Sequence, residues 1–188
     1  MKLSIKPRVH QRKSDATILR REGYIPAIVY HKDKNGEGEP ISISKNEFAT
    51  HLRHVPQGRL STTVFTLDEG KGKGRSVLVK DIQYFPVDYS VMHIDFVALD
   101  DKTPVKVNVP IVIQGEADSV GIKLGGMVRV VIRNVKVQCL PKDIPPYFVI
   151  DVKNMNMGET LRLSDLDIPK TVRPLMNMDT VAVSMVKK

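Results

Sequence analysis

His93 and Asp95 stand two residues apart and alternate with Ile94 and Phe96. On a strand this spacing puts the polar pair on one face and the apolar pair on the other, giving a core side and a working side. Four uses suit such a pair. It could be half of a metal site, but His10, His31, His51 and His54 offer no ligand spacing to complete it. It could serve a nucleophile, for which Cys139 is the one thiol; Cys139 shares its phase with Val135 and Val137, which marks a core position. Asp95 could simply fix the imidazole within a satisfied polar cluster. Or the pair could present hydrogen-bonding groups to nucleic-acid bases while longer cations hold phosphates.

Charge favours the last use. The chain of 188 residues has a net charge of +8, and residues 1–21 carry seven cations (Lys2, Lys6, Arg8, Arg12, Lys13, Arg20, Arg21) against Asp15 alone. Such a segment attracts a polyanion by steering and counterion release, or else it is a solvated basic tail. No helical stretch is long and basic enough to read a DNA major groove. A sheet face beside a short basic helix suits the wide, shallow minor groove of RNA. Tyr30, at a strand end, could stack on a sugar or base, donate its hydroxyl, or be a half-buried strand aromatic. Gly70-Lys71-Gly72-Lys73-Gly74 lacks the order of a phosphate-binding loop, because Arg75 precedes Ser76, and reads as a hairpin loop.

The rest of the composition narrows the class. A single cysteine excludes an internal disulfide and suits a reducing compartment. The first residues lack the apolar run of a signal peptide, and no stretch is apolar for long enough to span a membrane. The expectation is a cytoplasmic protein with two modest domains, at 1–99 and 100–188, whose cores are built from Val, Ile, Leu and Met.

The elements that must position these residues can be read in order. Ser14 and Gly23 bracket a short helix over 15–22, and Pro26 prevents its continuation. Strands follow at 27–30 and 41–44, around a polar loop over 31–40. Ser44-Lys45-Asn46-Glu47 is a capping box before a helix that packs Phe48 and Leu52 on the sheet. Strands are predicted over 60–67, 76–83 and 91–99. The expected product is a small curled sheet or barrel with two short helices.

Beyond a linker at 100–104, Val105, Val107, Val109, Ile111 and Ile113 alternate with less apolar positions, and Pro110 predicts an edge or bulge. The apolar phase is even at Val128, Val130 and Ile132 but odd at Val135, Val137 and Cys139, which predicts a bulge or bend near 133–134. Further strands are predicted around Tyr147, Val149 and Asp151, at Leu161 and Leu163, and at Val181, Val183 and Met185. This half reads as an all-β domain. It carries thirteen cations against ten anions and no cationic stripe.

Several spaced pieces resemble a known family. Arg8, Lys13, Leu19-Arg20-Arg21-x-Gly23, the run Ile25 to Tyr30, Asp81-Ile82-Gln83 with Pro86, and His93 to Phe96 resemble the bacterial large-subunit ribosomal protein that binds 5S ribosomal RNA. Val109-Pro110, Gly115-Glu116, the span Gly121 to Gly126, Cys139-Leu140-Pro141, Asp143-Ile144-Pro145, Asp151 and Gly158 are similar to its long two-domain form, the general stress protein CTC family. The resemblance implies a mainly β, two-domain structural protein. Its N-terminal β-barrel would bind the loop E region of 5S RNA through the widened minor groove, beside other RNA and proteins of the large subunit. A C-terminal β domain would follow. No enzyme activity, cofactor, metal, membrane or small-molecule substrate is implied. The implied RNA contacts are Arg8, Lys13, Arg20, Arg21, Tyr30, Gln83, His93 and Asp95. Phe85 stands where the family commonly has histidine, and His31 where it commonly has glycine. A transfer-RNA-binding or RNA-processing module on a related barrel, and a hydrolase built on His93, Asp95 and Cys139, are the alternatives.

Overall fold

The computed structural model describes residues 1–8, 13–31, 38–68, 70 and 74–187, with the side chain of Lys13 left out. The loop over 31–40 and the glycine-lysine run over 70–74 therefore lie largely outside the described residues. The chain divides into two compact units, Met1–Thr103 and Pro104–Lys188. Both are mainly β.

In the first unit six strands close into a barrel: β1 (Lys2–Pro7), β2 (Tyr24–Tyr30), β3 (Gly38–Ser44), β4 (Val64–Asp68), β5 (Arg75–Tyr84) and β6 (Val91–Ala98). The order round the barrel is β1-β3-β2-β6-β5-β4. Neighbours are antiparallel except at two seams, where β2 runs parallel to β6 and β4 parallel to β1. Every strand sends alternate apolar side chains inward. Leu3, Ile25, Ala27, Val29, Ile41, Ile43, Phe65, Leu67, Val77, Ile94 and Phe96 fill the interior.

Helix α1 (Lys13–Arg21) ends at a left-handed residue, Gly23 (φ 84°), whose N–H reaches the carbonyl of Arg20 at 3.2 Å. A side chain there would be strained, which is why the sequence puts glycine at this stop. The Gly23 carbonyl in turn accepts the N–H of Lys45 at 2.9 Å. That ties the end of α1 to the start of α2 (Lys45–His54). Helix α2 covers the barrel with Phe48, whose ring lies 6.2 Å from that of Phe65.

Four local expectations change. Ser14, expected to cap a helix over 15–22, lies inside α1, which already begins at Lys13. Ser44 sits at the N-cap of α2 but makes no side-chain cap bond. Glu47 instead reaches across to β1, where its carboxylate accepts the Ser4 N–H and hydroxyl at 3.2 Å, so a long-range contact displaces the capping box. The strand predicted over 60–67 begins only at Val64, after a 3-10 turn at Leu60–Thr62. And β2 begins at Tyr24, so Pro26 lies within it; its pairing to β6 starts one residue later, at Ala27.

The second unit contains two sheets. One has the order β10-β7-β9-β12, built from β7 (Val105–Gln114), β9 (Asn134–Cys139), β10 (Phe148–Asp151) and β12 (Arg173–Pro174). The other has the order β11-β13-β8, built from β8 (Gly126–Val130), β11 (Thr160–Arg162) and β13 (Val181–Lys187). A four-residue helix, α3 (Val120–Lys123), precedes β8. Pro110 marks a change of partner: β7 pairs with β9 through residue 110 and with β10 from Ile111 onward. A residue without an N–H is tolerated where one ladder ends and the next begins.

The phase switch near 133–134 is not a bulge. Val128 and Val130 belong to one sheet and Val135 and Val137 to the other, and the chain crosses between them at 131–133. In β10 the buried residues are Phe148 and Ile150, and Val149 faces outward. The unit's core comes from both sheets, with Val107, Val109, Val137, Ile150, Val183 and Met185 among its buried side chains.

Truncating Phe65 removes a ring that is fully buried against Phe48. Phe65→Ala should destabilise the first unit by about 3–5 kcal/mol. A urea titration of the full chain reads this as a lower midpoint for that unit's transition, and an unchanged midpoint would contradict the core described here.

Candidate nucleic-acid interface

β6 is held on both edges, by β2 and by β5, so its register is fixed. Ile94 and Phe96 are fully buried inside the barrel. His93 and Asp95 therefore face out, with side chains 18% and 21% exposed, and His93 Nδ1 lies 3.1 Å from Asp95 Oδ1. The expected split of β6 into an apolar inner face and a polar outer face is what the structure has.

Other elements converge on this pair. Gln83 of β5 is the cross-strand partner of His93, and it is exposed. Arg20, near the end of α1, donates from Nε to the carbonyl of Met92 at 3.2 Å, and its guanidinium carbon lies 5.7 Å from the Phe85 ring centroid. The phenylalanine that stands in place of histidine is thus a platform for this arginine. Arg8 follows β1 directly and is anchored by its N–H on the Pro40 carbonyl at 3.1 Å. Its side-chain Nε is buried and, among the described residues, has no hydrogen-bond partner.

Tyr30 shares this outer face. Ile28 pairs with Asp95 and Tyr30 with Val97, so Tyr30 stands one row beyond the His93–Asp95 pair. Arg21 is exposed at the end of α1. Lys13 opens that helix, and its side chain lies outside the described residues. The sequence analysis passed over Lys80, whose ammonium lies 4.9 Å from the Tyr30 ring centroid, and took Asp81, the cross-strand partner of Asp95, only as part of the family resemblance. The signal was present. Val77 and Val79 are inward, and inward packing resumes at Ile82, so two adjacent charged residues mark a bulge between them.

Electrostatics set the chemistry of His93. Partial burial pushes its pKa below the ordinary 6.5; the Asp95 carboxylate pulls it back up, and the Arg8 and Arg20 charges push it down again. The imidazole is thus neutral near pH 7. A neutral ring facing a carboxylate through Nδ1 must carry its proton there, because two lone pairs at 3.1 Å would repel. Nε2 is then a bare acceptor. His93 and Asp95 together present acceptors, flanked by arginines.

The other candidate chemistries find no support in this geometry. Cys139 is buried in the second unit, and burial, followed by the Asp143 charge, raises its thiol pKa; it is not an activated nucleophile. Among the described residues no group of three or more His, Cys, Asp or Glu is placed to hold a metal, and no helix is long and apolar enough to cross a membrane.

Comparison with known proteins fits this layout. The family model "Ribosomal L25p family" matches residues 3–96, and "Ribosomal protein TL5, C-terminal domain" matches residues 104–188. The chain belongs to the ribosomal L25p family. Relatives named "Large ribosomal subunit protein bL25" are 39% identical in Chlamydia trachomatis serovar L2 and 38% identical in Chlamydia muridarum and Chlamydia pneumoniae. Each match extends over 188 residues and covers all of both proteins. The L25p family is one of structural ribosomal proteins, so the polar pair on β6 belongs to a non-enzymatic surface.

The lowered pKa of His93 has a stability consequence with a definite sign. The unfolded chain binds more protons than the folded one from about 6.5 down to the folded value. This residue's contribution is therefore complete above about 6.5 and is lost as the pH falls through that window. NMR titration should place His93 below 6.5 with the proton on Nδ1, and Asp95→Asn should lower it further by removing the attraction to imidazolium. A pKa that rises in Asp95→Asn would contradict this electrostatic account.

Proposed function

We propose that the chain is a structural component of the large ribosomal subunit, and that its first unit binds 5S ribosomal RNA along the minor groove of the loop E region. The observation that carries this reading is the outer face of the barrel. There His93 and Asp95, 3.1 Å apart, present acceptors within reach of the Arg8 and Arg20 charges, and the buried Arg8 Nε is a donor without an acceptor among the described residues. The names of the relatives support the subunit, and the resemblance of the site residues supports 5S RNA.

The chemistry follows from the groups available. A minor groove exposes donors, namely the guanine amino group and the ribose 2′-hydroxyl, which His93 Nε2 and Asp95 can accept. An unpaired carboxylate against a polyanion is repelled, so Asp95 is tolerated only where it meets such a donor or stays on His93. Gln83 beside His93 can both donate and accept. Arg8, Arg20, Arg21 and Lys13 bring the charge that holds phosphates. The Tyr30 hydroxyl adds one more group at the far end of the face.

The direct test is equilibrium binding of the full chain to 5S RNA, with transfer RNA as competitor, at physiological and at raised salt. Binding should survive competition; equal binding of both RNAs would favour the transfer-RNA reading or a general polyanion grip. Asp95→Ala should cost about 1–3 kcal/mol at physiological salt, and an unaltered affinity would remove Asp95 from the readout. Arg20→Ala should also reduce the steepness of the salt dependence by about one.

A further inference from the structure

The bulge in β5 gives the outer face a second cationic end. Val79 pairs with Phe96 and Asp81 with Asp95, so Lys80 is an extra residue without a partner on β6. The insertion leaves Lys80 and Asp81 both exposed, before Ile82 returns to the core. Tyr30 lies beyond β6, opposite Val97, so the Lys80 side chain crosses that strand to bring its ammonium 4.9 Å from the ring centroid. A cation–π contact at an exposed site contributes about 0.5–1 kcal/mol, and ordering a lysine stem costs a similar amount. The contact gains little stability by itself. It does place the ammonium of this exposed residue beside the Tyr30 ring.

That position completes a pattern. The Arg8 and Arg20 charges act on His93, and Lys80 reaches Tyr30 in the row of Val97, which is about 13 Å from His93 along β6. Asp95, His93 and Asp81 lie between. Asp81 and Asp95 are direct cross-strand partners, so the middle of the face is negative and repels phosphate. Cations at both ends with acceptors between them match a minor groove crosswise, with phosphates on its two rims and donors on its floor.

Resting on the RNA-binding reading above, we propose that Lys80 is a further RNA contact, held over the Tyr30 ring so that its ammonium meets a phosphodiester oxygen on the rim opposite Arg8 and Arg20. Tyr30 then acts on that ring face as a positioning residue for Lys80. A base does not stack there.

The test compares the full-length chain with Lys80→Gln, Tyr30→Phe, Tyr30→Leu and the Lys80→Gln/Tyr30→Leu double variant, each titrated with 5S RNA and with transfer RNA over a range of salt. Lys80→Gln should lower the magnitude of the log K against log salt slope by about 0.7–0.9, the value of one phosphate contact. Tyr30→Phe should keep that increment, Tyr30→Leu should lose it, and the double variant should be no worse than Tyr30→Leu. An unchanged slope in Lys80→Gln overturns the inference, even where wild-type selectivity for 5S RNA upholds the proposed function. A Lys80 increment that persists in Tyr30→Leu removes the ring from its support. Equal binding of the two RNAs by the wild-type chain sinks the 5S reading, and the slope still decides whether Lys80 touches phosphate.

Discussion

The outer face depends on β6 being clamped between β2 and β5. A strand with two paired edges cannot slip by one residue without turning Ile94 and Phe96 out to water and His93 and Asp95 into the barrel. Exposing the two apolar side chains would cost several kcal/mol, before any penalty for burying the polar ones. The interior packing of the barrel therefore orients the polar pair, and no loop has to hold it. Arg20 strengthens the arrangement from outside, because its bond to the Met92 carbonyl fastens the end of α1 to the same strand.

The charge pattern reconciles two demands that conflict in a nucleic-acid-binding surface. Carboxylates are needed to recognise donors, yet they repel phosphate. Asp95 meets this by staying on His93, and partial burial, joined by the Arg8 and Arg20 charges, keeps the imidazole from taking up a second proton. Selectivity and grip are thus divided. On the proposed RNA-binding face, neutral and acidic acceptors would serve selectivity from the middle, and cations would supply the non-specific attraction from the margins.

Much of this was legible in the sequence because period-two alternation translates directly into faces. His93, Asp95, Ile94 and Phe96 are where their spacing put them, and Gly23 ends its helix as its backbone freedom requires. The errors came where a local pattern had a nonlocal cause. The Ser44–Glu47 box had the right letters, but Ser4, 43 residues earlier, captured the carboxylate. The phase change between Val130 and Val135 looked like one bent strand and was two strands in different sheets. The bulge at Lys80 escaped notice for the converse reason: an inserted residue shows only as a shift in phase, and here the shift was hidden between two charged side chains.

The two parallel seams of the barrel also govern the order in which it can form. β1 is made first but finds its partners only in β3 and β4, and β2 must wait for β6, roughly sixty residues further along. Three of the six pairings, β2–β3, β4–β5 and β5–β6, join consecutive strands, and the other three must overcome the entropy of closing longer loops. During synthesis no closed barrel exists until Ala98 is available, and β1, with its exposed Lys2 and Lys6, has no strand partner until β3 has been made. The barrel's last act of folding is therefore the closing of its two parallel seams, where the first strands made meet later ones.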